Sequence, residues 1–176
     1  MKGWYINASG NVKESMTIFE EGLKFANQNN ILEDEAVVSS YLAEAYLKMD
    51  NFDKAKKHGE NGLKISKKIG DEEKVAQMSF ILGKIEKEVG NYDSAKEFYS
   101  QSLDIARGNG DKNRIYSILY QIGLMELELG NYDEAERYYQ QSLTVRKEAN
   151  DKQAEALMLY RLGKLAIIQG NFEIAE

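Results

Sequence analysis

From Asp71 onward, apolar residues fall at Val75, Met78, Leu82, Ile85 and Val89. Those steps of three and four trace one face of a helix. Asp71 is placed to cap that helix, and Glu72 and Glu73 occupy its first turn, where the exposed amide ends favour negative charge. Gly90 stops it, because glycine accepts the left-handed conformation that a helix C-terminus often needs. A second helix follows, with Asn91 placed as its cap, Asp93 in its first turn, and Ala95, Tyr99, Ser102, Leu103 and Ala106 as its inner stripe. Gly108-Asn109-Gly110 ends it. The same pattern restarts at Asp111 and at Asp151, and less cleanly over 31–50, where Asp34 and Glu35 lie near the first turn.

The repetition has a fixed period. Asparagine stands at Asn11, Asn51, Asn91, Asn131 and Asn171, 40 residues apart without drift. A period of this size predicts a solenoid, in which one helix pair stacks on copies of itself. The frame is a single array: a partial repeat over 1–30, repeats over 31–70, 71–110 and 111–150, and a partial repeat over 151–176. Gly83, Gly123 and Gly163 fall in the middle of the first helices, where each costs roughly 1 kcal/mol against alanine. Close packing is the expected return, with Ala95, Ala135 and Ala175 as the small residues opposite and Ala43 and Gly3 at the equivalent place in the earlier copies.

Leu82-Gly83, Gly90, Tyr92, Ala95, Tyr99 and Leu103 resemble the tetratricopeptide repeat (TPR) pattern, as do Ile122-Gly123, Gly130, Tyr132, Ala135, Tyr139 and Leu143. The 40-residue period is longer than the family's usual 34. It is similar to the longer-helix subset found in kinesin light chains, G-protein-regulator scaffolds and bacterial sensory or transcription regulators. The chain departs from the pattern in lacking its proline, in carrying Gly59 where Phe19, Tyr99 and Tyr139 stand, and in placing Glu86 and Glu126 at an often aromatic position. The resemblance implies an all-α, right-handed superhelix of antiparallel helix pairs whose first helices line a concave groove. On that frame one groove column is Ser40, Phe80, Tyr120 and Tyr160. A second is Trp4, Glu44, Lys84, Leu124 and Lys164, and a third is Asn7, Leu47, Lys87, Leu127 and Ile167, with Gln77, Ser117 and Leu157 at the mouth. The expected partner-binding residues are Phe80, Tyr120, Tyr160, Lys84, Lys87, Leu124, Leu127, Lys164 and Glu44. The competing reading makes the aromatics core and the lysines solvated. The clamp of lysine, arginine and asparagine by which some TPR modules hold chaperone tails is not assembled: its columns offer Phe80, Tyr120, Lys84 and Leu124.

Composition narrows the function. The chain has 176 residues, no proline and no cysteine, so it holds no disulfide and no thiolate metal site. The net charge of −6 argues against nucleic acid as the main partner, because phosphate binding needs a basic surface. No apolar run is long enough for a membrane span or a signal peptide, which fits a cytoplasmic, non-membrane protein. His58 is the single histidine, no nucleophile motif or phosphate loop occurs, and the acidic pairs lie on helix faces. The expectation is therefore a non-catalytic scaffold without cofactor or metal that binds a protein or peptide segment in its groove. Two alternatives remain: the peptide-sensing part of a bacterial regulator, or an array that self-associates end to end. Neither end of the sequence resembles a polar capping repeat, so the chain is read either as a piece of a longer array or as one whose ends stack on another copy.

Overall fold

A computed structural model describes residues 12–170. Expectations for Gly3, Trp4, Asn7, Asn11 and Ala175 lie outside the described residues. Those residues form eight α-helices and no strand: α1 (Val12–Gln28), α2 (Leu32–Leu47), α3 (Phe52–Ile69), α4 (Glu72–Val89), α5 (Tyr92–Gly108), α6 (Lys112–Glu128), α7 (Tyr132–Glu148) and α8 (Lys152–Gln169). Connections of two to four residues join them, short enough to make packed neighbours antiparallel. The chain divides into two compact units, Met1–Ser102 and Leu103–Glu176, with the division inside α5.

The caps follow the sequence grammar. The Asp71, Asp111 and Asp151 carboxylates accept from the backbone N–H groups of Lys74 (2.9 Å), Arg114 (3.0 Å) and Ala154 (3.0 Å), and so open α4, α6 and α8. Each satisfies a helix-end donor that would otherwise lack a partner. At the far ends Gly70, Gly90 and Gly170 adopt positive φ. Asn30, Asp50 and Asn150 do the same between other helices, with φ of 54°, 54° and 58°. Short polar side chains tolerate that conformation better than other non-glycine residues. Ile31, before α2, provides no side-chain cap.

In the first unit, Leu42, Met78, Ile81, Leu82, Ile85 and Tyr99 are fully buried. Burial of such side chains stabilises by roughly 1.5–3 kcal/mol each. The mid-helix glycine packs differently from expectation. A β-carbon on Gly83 would lie 2.6 Å from the Tyr99 ring, so the glycine makes room for the tyrosine of the second helix rather than for an alanine. Gly59, which replaces that tyrosine on α3, leaves no gap: Leu82 of α4 fills the space, 2.8 Å from where a β-carbon would stand. In the second unit Gly123 lies under the Tyr139 ring at the same 2.6 Å, and Tyr139, Leu143, Met158 and Leu165 form a core cluster with Ala135.

The glutamates at the often aromatic position are buried and tied down. Glu86 accepts from Asn91 Nδ2 at 2.8 Å and pairs with Lys56 at 2.7 Å. Glu126 accepts from Asn131 Nδ2 at 2.8 Å. Asn131 makes no side-chain cap on α7; its amide closes the corner between paired helices instead. Asn51 does cap, accepting from the Lys54 N–H at 3.3 Å. Its repeat holds Tyr46 where the later ones hold glutamate.

Candidate aromatic and arginine site

Helix α6 carries Tyr116 and Tyr120 one turn apart, and their rings lie parallel with centroids 6.2 Å apart. Ser142 of α7 donates to the Tyr116 carbonyl oxygen at 3.3 Å and Tyr139 tilts against Tyr120, also at 6.2 Å, so α7 holds the pair from beneath. Tyr116, Tyr120, Leu124 and Leu127 are half-buried against the core cluster. Their remaining surface is accessible, which joins the two readings of this stripe: each ring is core on one side and open on the other.

Two guanidinium groups cover the tyrosines. Arg146 lies 3.7 Å from the Tyr116 ring centroid, donates to Asn113 Oδ1 at 2.7 Å, and pairs with Asp151 at 3.4 Å. Arg161 of α8 lies 5.6 Å from the Tyr120 ring centroid. Both positions allow cation–π attraction. Burial raises the Tyr116 hydroxyl above its ordinary value against the pull of the two arginines. Burial likewise lifts Tyr139 to about 12, opposed by Arg161 and helped by Tyr120 and Glu128.

The other expected residues are distributed as follows. On α8, Tyr160 is 58% exposed, with the Lys164 ammonium 5.7 Å from its ring centroid. In the first unit Phe80 is half-buried on Tyr99, with centroids 6.0 Å apart, and Lys84 lies 5.7 Å from its ring centroid. Lys87 is only 9% exposed and pairs with Glu88 at 3.0 Å, so it is not a solvated lysine. Glu44 is half-buried, and Ser40 is buried with its hydroxyl donating to the Val37 carbonyl oxygen at 2.7 Å. Sequence reasoning missed Tyr116, Arg146 and Arg161. A signal existed for two of them. Tyr116 breaks a column otherwise made of Ala36, Ala76 and Ala156, and Arg161 follows Tyr41, Ile81 and Gln121.

His58 stacks on Tyr46 with centroids 5.4 Å apart. Burial, then Lys57, lowers its pKa. The Tyr46 hydroxyl donates to Glu20 at 2.7 Å, and burial together with that bond lifts it to about 12. The histidine packs on a ring in that arrangement. Among the described residues no group of three or more His, Cys, Asp or Glu is placed to hold a metal ion, and no helix is long and apolar enough to cross a membrane.

The model of the tetratricopeptide repeat family matches residues 34–108 and 114–176. The chain belongs to the tetratricopeptide repeat family. Solved structures place this TPR chain in the same all-α solenoid class. BtubC (BKLC) from P. vanneervenii superposes with a TM-score of 0.85 at 22% identity, over 98% of this chain and 72% of that one. A Rap protein complexed with competence and sporulation factor gives 0.80 at 22% identity, over 99% of this chain and 49% of its own. A signal transduction ATPase with numerous domains from Pyrococcus horikoshii, which has a tetratricopeptide repeat sensor, gives 0.81 at 22% identity over 98% of this chain and 26% of its own. The TPR chain thus spans about half the length of that Rap protein and a quarter of that ATPase. Comparison with curated proteins gives no match.

Proposed function

We propose that this TPR chain is a non-catalytic module that binds an extended or helical segment of another protein through its first helices. The observation that carries the reading is the half-open aromatic stripe of α6, where Tyr116 and Tyr120 are braced from below and capped by arginine. Rigid aromatic residues with one open face dominate binding energy at protein interfaces. In the second unit the partner-facing residues are Tyr120, Leu124, Leu127, Tyr160 and Lys164. In the first unit they are Glu44, Phe80 and Lys84; Lys87 is too buried to take part. The repeat frame over 31–70, 71–110 and 111–150 is the register of that surface. The Rap complex and the sensor-bearing ATPase support a narrower form, in which the module senses a small partner for a larger regulator.

The test is capture from lysate of the source cells. This chain is immobilised beside a Phe80→Ala, Tyr120→Ala, Tyr160→Ala variant shown to be folded. A partner held by the natural chain and lost by the variant supports the reading, and retention by both rejects it. Self-association is the second reading, favoured by the exposed apolar residues Leu159, Ile167 and Ile168 of α8. It requires the mass in solution to rise with concentration.

A further inference from the structure

We infer that Arg161, set against the Tyr120 ring, is an anchor for a carboxylate of the bound segment, so that the partner presents an acidic side chain at this point. The inference rests on the groove reading and names the chemistry that the groove selects.

Arg161 carries a charge that no acidic side chain among the described residues pairs with. A guanidinium is always protonated and offers five N–H donors. The other arginines with restricted exposure have charged or polar acceptors: Arg114 pairs with Asp111 at 3.2 Å, and Arg146 bonds Asn113 and Asp151 even though its Nε is also buried without one. Arg161 is half-buried, makes no ion pair or hydrogen bond among the described residues, and has its Nε buried without an acceptor. Its terminal nitrogens have no acceptor among the described residues and are not enclosed, so they are the donors that an arriving acceptor meets. The Tyr139 hydroxyl is also buried without a hydrogen-bond partner, and the charge of Arg161 acts on it.

Carboxylate is the acceptor that fits. Its two oxygens take paired N–H bonds from a guanidinium in a planar fork. The Tyr120 ring lies against one side of the guanidinium, 5.6 Å away, and leaves its other side for the acceptor. A phosphate monoester carries nearly twice the charge, and the second guanidinium, Arg146, is already engaged by Asp151. One uncompensated cation matches one carboxylate.

The test is an NMR titration of the full chain, followed at the Arg161 Nε–H cross-peak and the Tyr116 and Tyr120 ring protons. The probes are N-acetylglutamate amide, its glutamine analogue, and N-acetylglycine, whose only carboxylate is terminal. The glutamate probe is expected to shift these signals saturably with a dissociation constant of about 1 mM, the weak end of the affinity scale. The glutamine analogue should shift them at least roughly tenfold less at equal concentration. R161Q should remove the response, and R161K should weaken it by leaving charge without the fork. A larger response to N-acetylglycine would reassign the anchor to a chain terminus and overturn the side-chain inference. Equal responses to glutamate and glutamine probes, or none, would also overturn it, and this comparison within the natural chain needs no variant to fold. If lysate capture succeeds and the titration fails, only this inference falls. If capture fails and the titration succeeds, the groove reading falls and the carboxylate site stands.

Discussion

Gly123 on α6 and Gly163 on α8 hold the same place in their repeats, but a β-carbon added to each meets different surroundings. At Gly123 it would lie 2.6 Å from the Tyr139 ring; at Gly163 no atom of the described residues lies within 4 Å. The difference extends along both helices. Leu119 of α6 is 1% exposed, and its counterpart Leu159 on α8 is 52% exposed. Tyr120 is half-buried, and Tyr160 stands largely in solvent. The two helices have similar apolar patterns. What separates them is the cover: α7 lies across α6 with Tyr139 seated in the glycine notch. Where a second helix closes over a first one, as α7 does over α6, the apolar face of the first helix becomes core.

The sharpest way to break this comparison is to fill both notches. Gly123→Leu drives a side chain into a ring that is itself fully buried, and should destabilise by about 3 kcal/mol, the upper end for overpacked sites. Gly163→Leu meets no atom of the described residues and gains helix propensity, so it should be neutral or stabilising by up to about 0.8 kcal/mol. Urea denaturation of the two variants measures the contrast, and equal losses would show that the notch is not the cause.

Glu126 gives the next largest effect. It is buried and holds Asn131, whereas α8 carries Ala166 at that place, with no side-chain polar atom to bond. Glu126→Ala should cost about 2 kcal/mol by emptying a buried site and releasing the Asn131 amide to solvent. A loss within about 0.5 kcal/mol, the level of ordinary surface substitutions, would reduce the corner to decoration.

Smaller again is the aromatic pair. Tyr120→Ala removes a ring stacked on Tyr116 and should cost about 1 kcal/mol of stability. Tyr160→Ala should stay within about 0.5 kcal/mol. Thermal unfolding distinguishes them, and similar losses would mean that Tyr160 is covered in solution.

The last prediction concerns acid. Burial pushes the Glu86 carboxyl up, but the hydrogen bonds from Lys56 and Asn91 outweigh it, and the group sits below its ordinary 4.5. A depressed carboxyl contributes stability that is present above the unfolded value and is lost as pH falls through the folded one. Stability should therefore decline below about pH 4.5, and Glu86→Gln should flatten that decline. An unchanged acid limb in the Gln variant would remove Glu86 from the account.

Much of this was legible from residue order. Helix starts at Asp71, Asp111 and Asp151 and the stop at Gly90 are local events, set by side-chain oxygens and by the φ that glycine allows. The 40-residue spacing of the asparagines and the TPR pattern around Gly83 and Gly123 carried the fold class, because a repeat that cannot bury its own face must stack. The role of Asn131 was not legible: capping and bonding a glutamate five residues earlier use the same side chain, and only the packed corner selects one. Nor was the tyrosine over each glycine, since the alanine opposite satisfies the same pattern. Arg161 and Tyr116 were visible only as departures from their columns. Whether such a departure is solvated, paired or left with an unsatisfied charge depends on side chains from α6, α7 and α8 meeting at one point. Chain order determined the helices and their repetition, because caps, stops and periodicity act within a few residues. Tertiary structure alone decided which faces are covered and which cation lacks a partner, because both depend on contacts between helices distant in sequence.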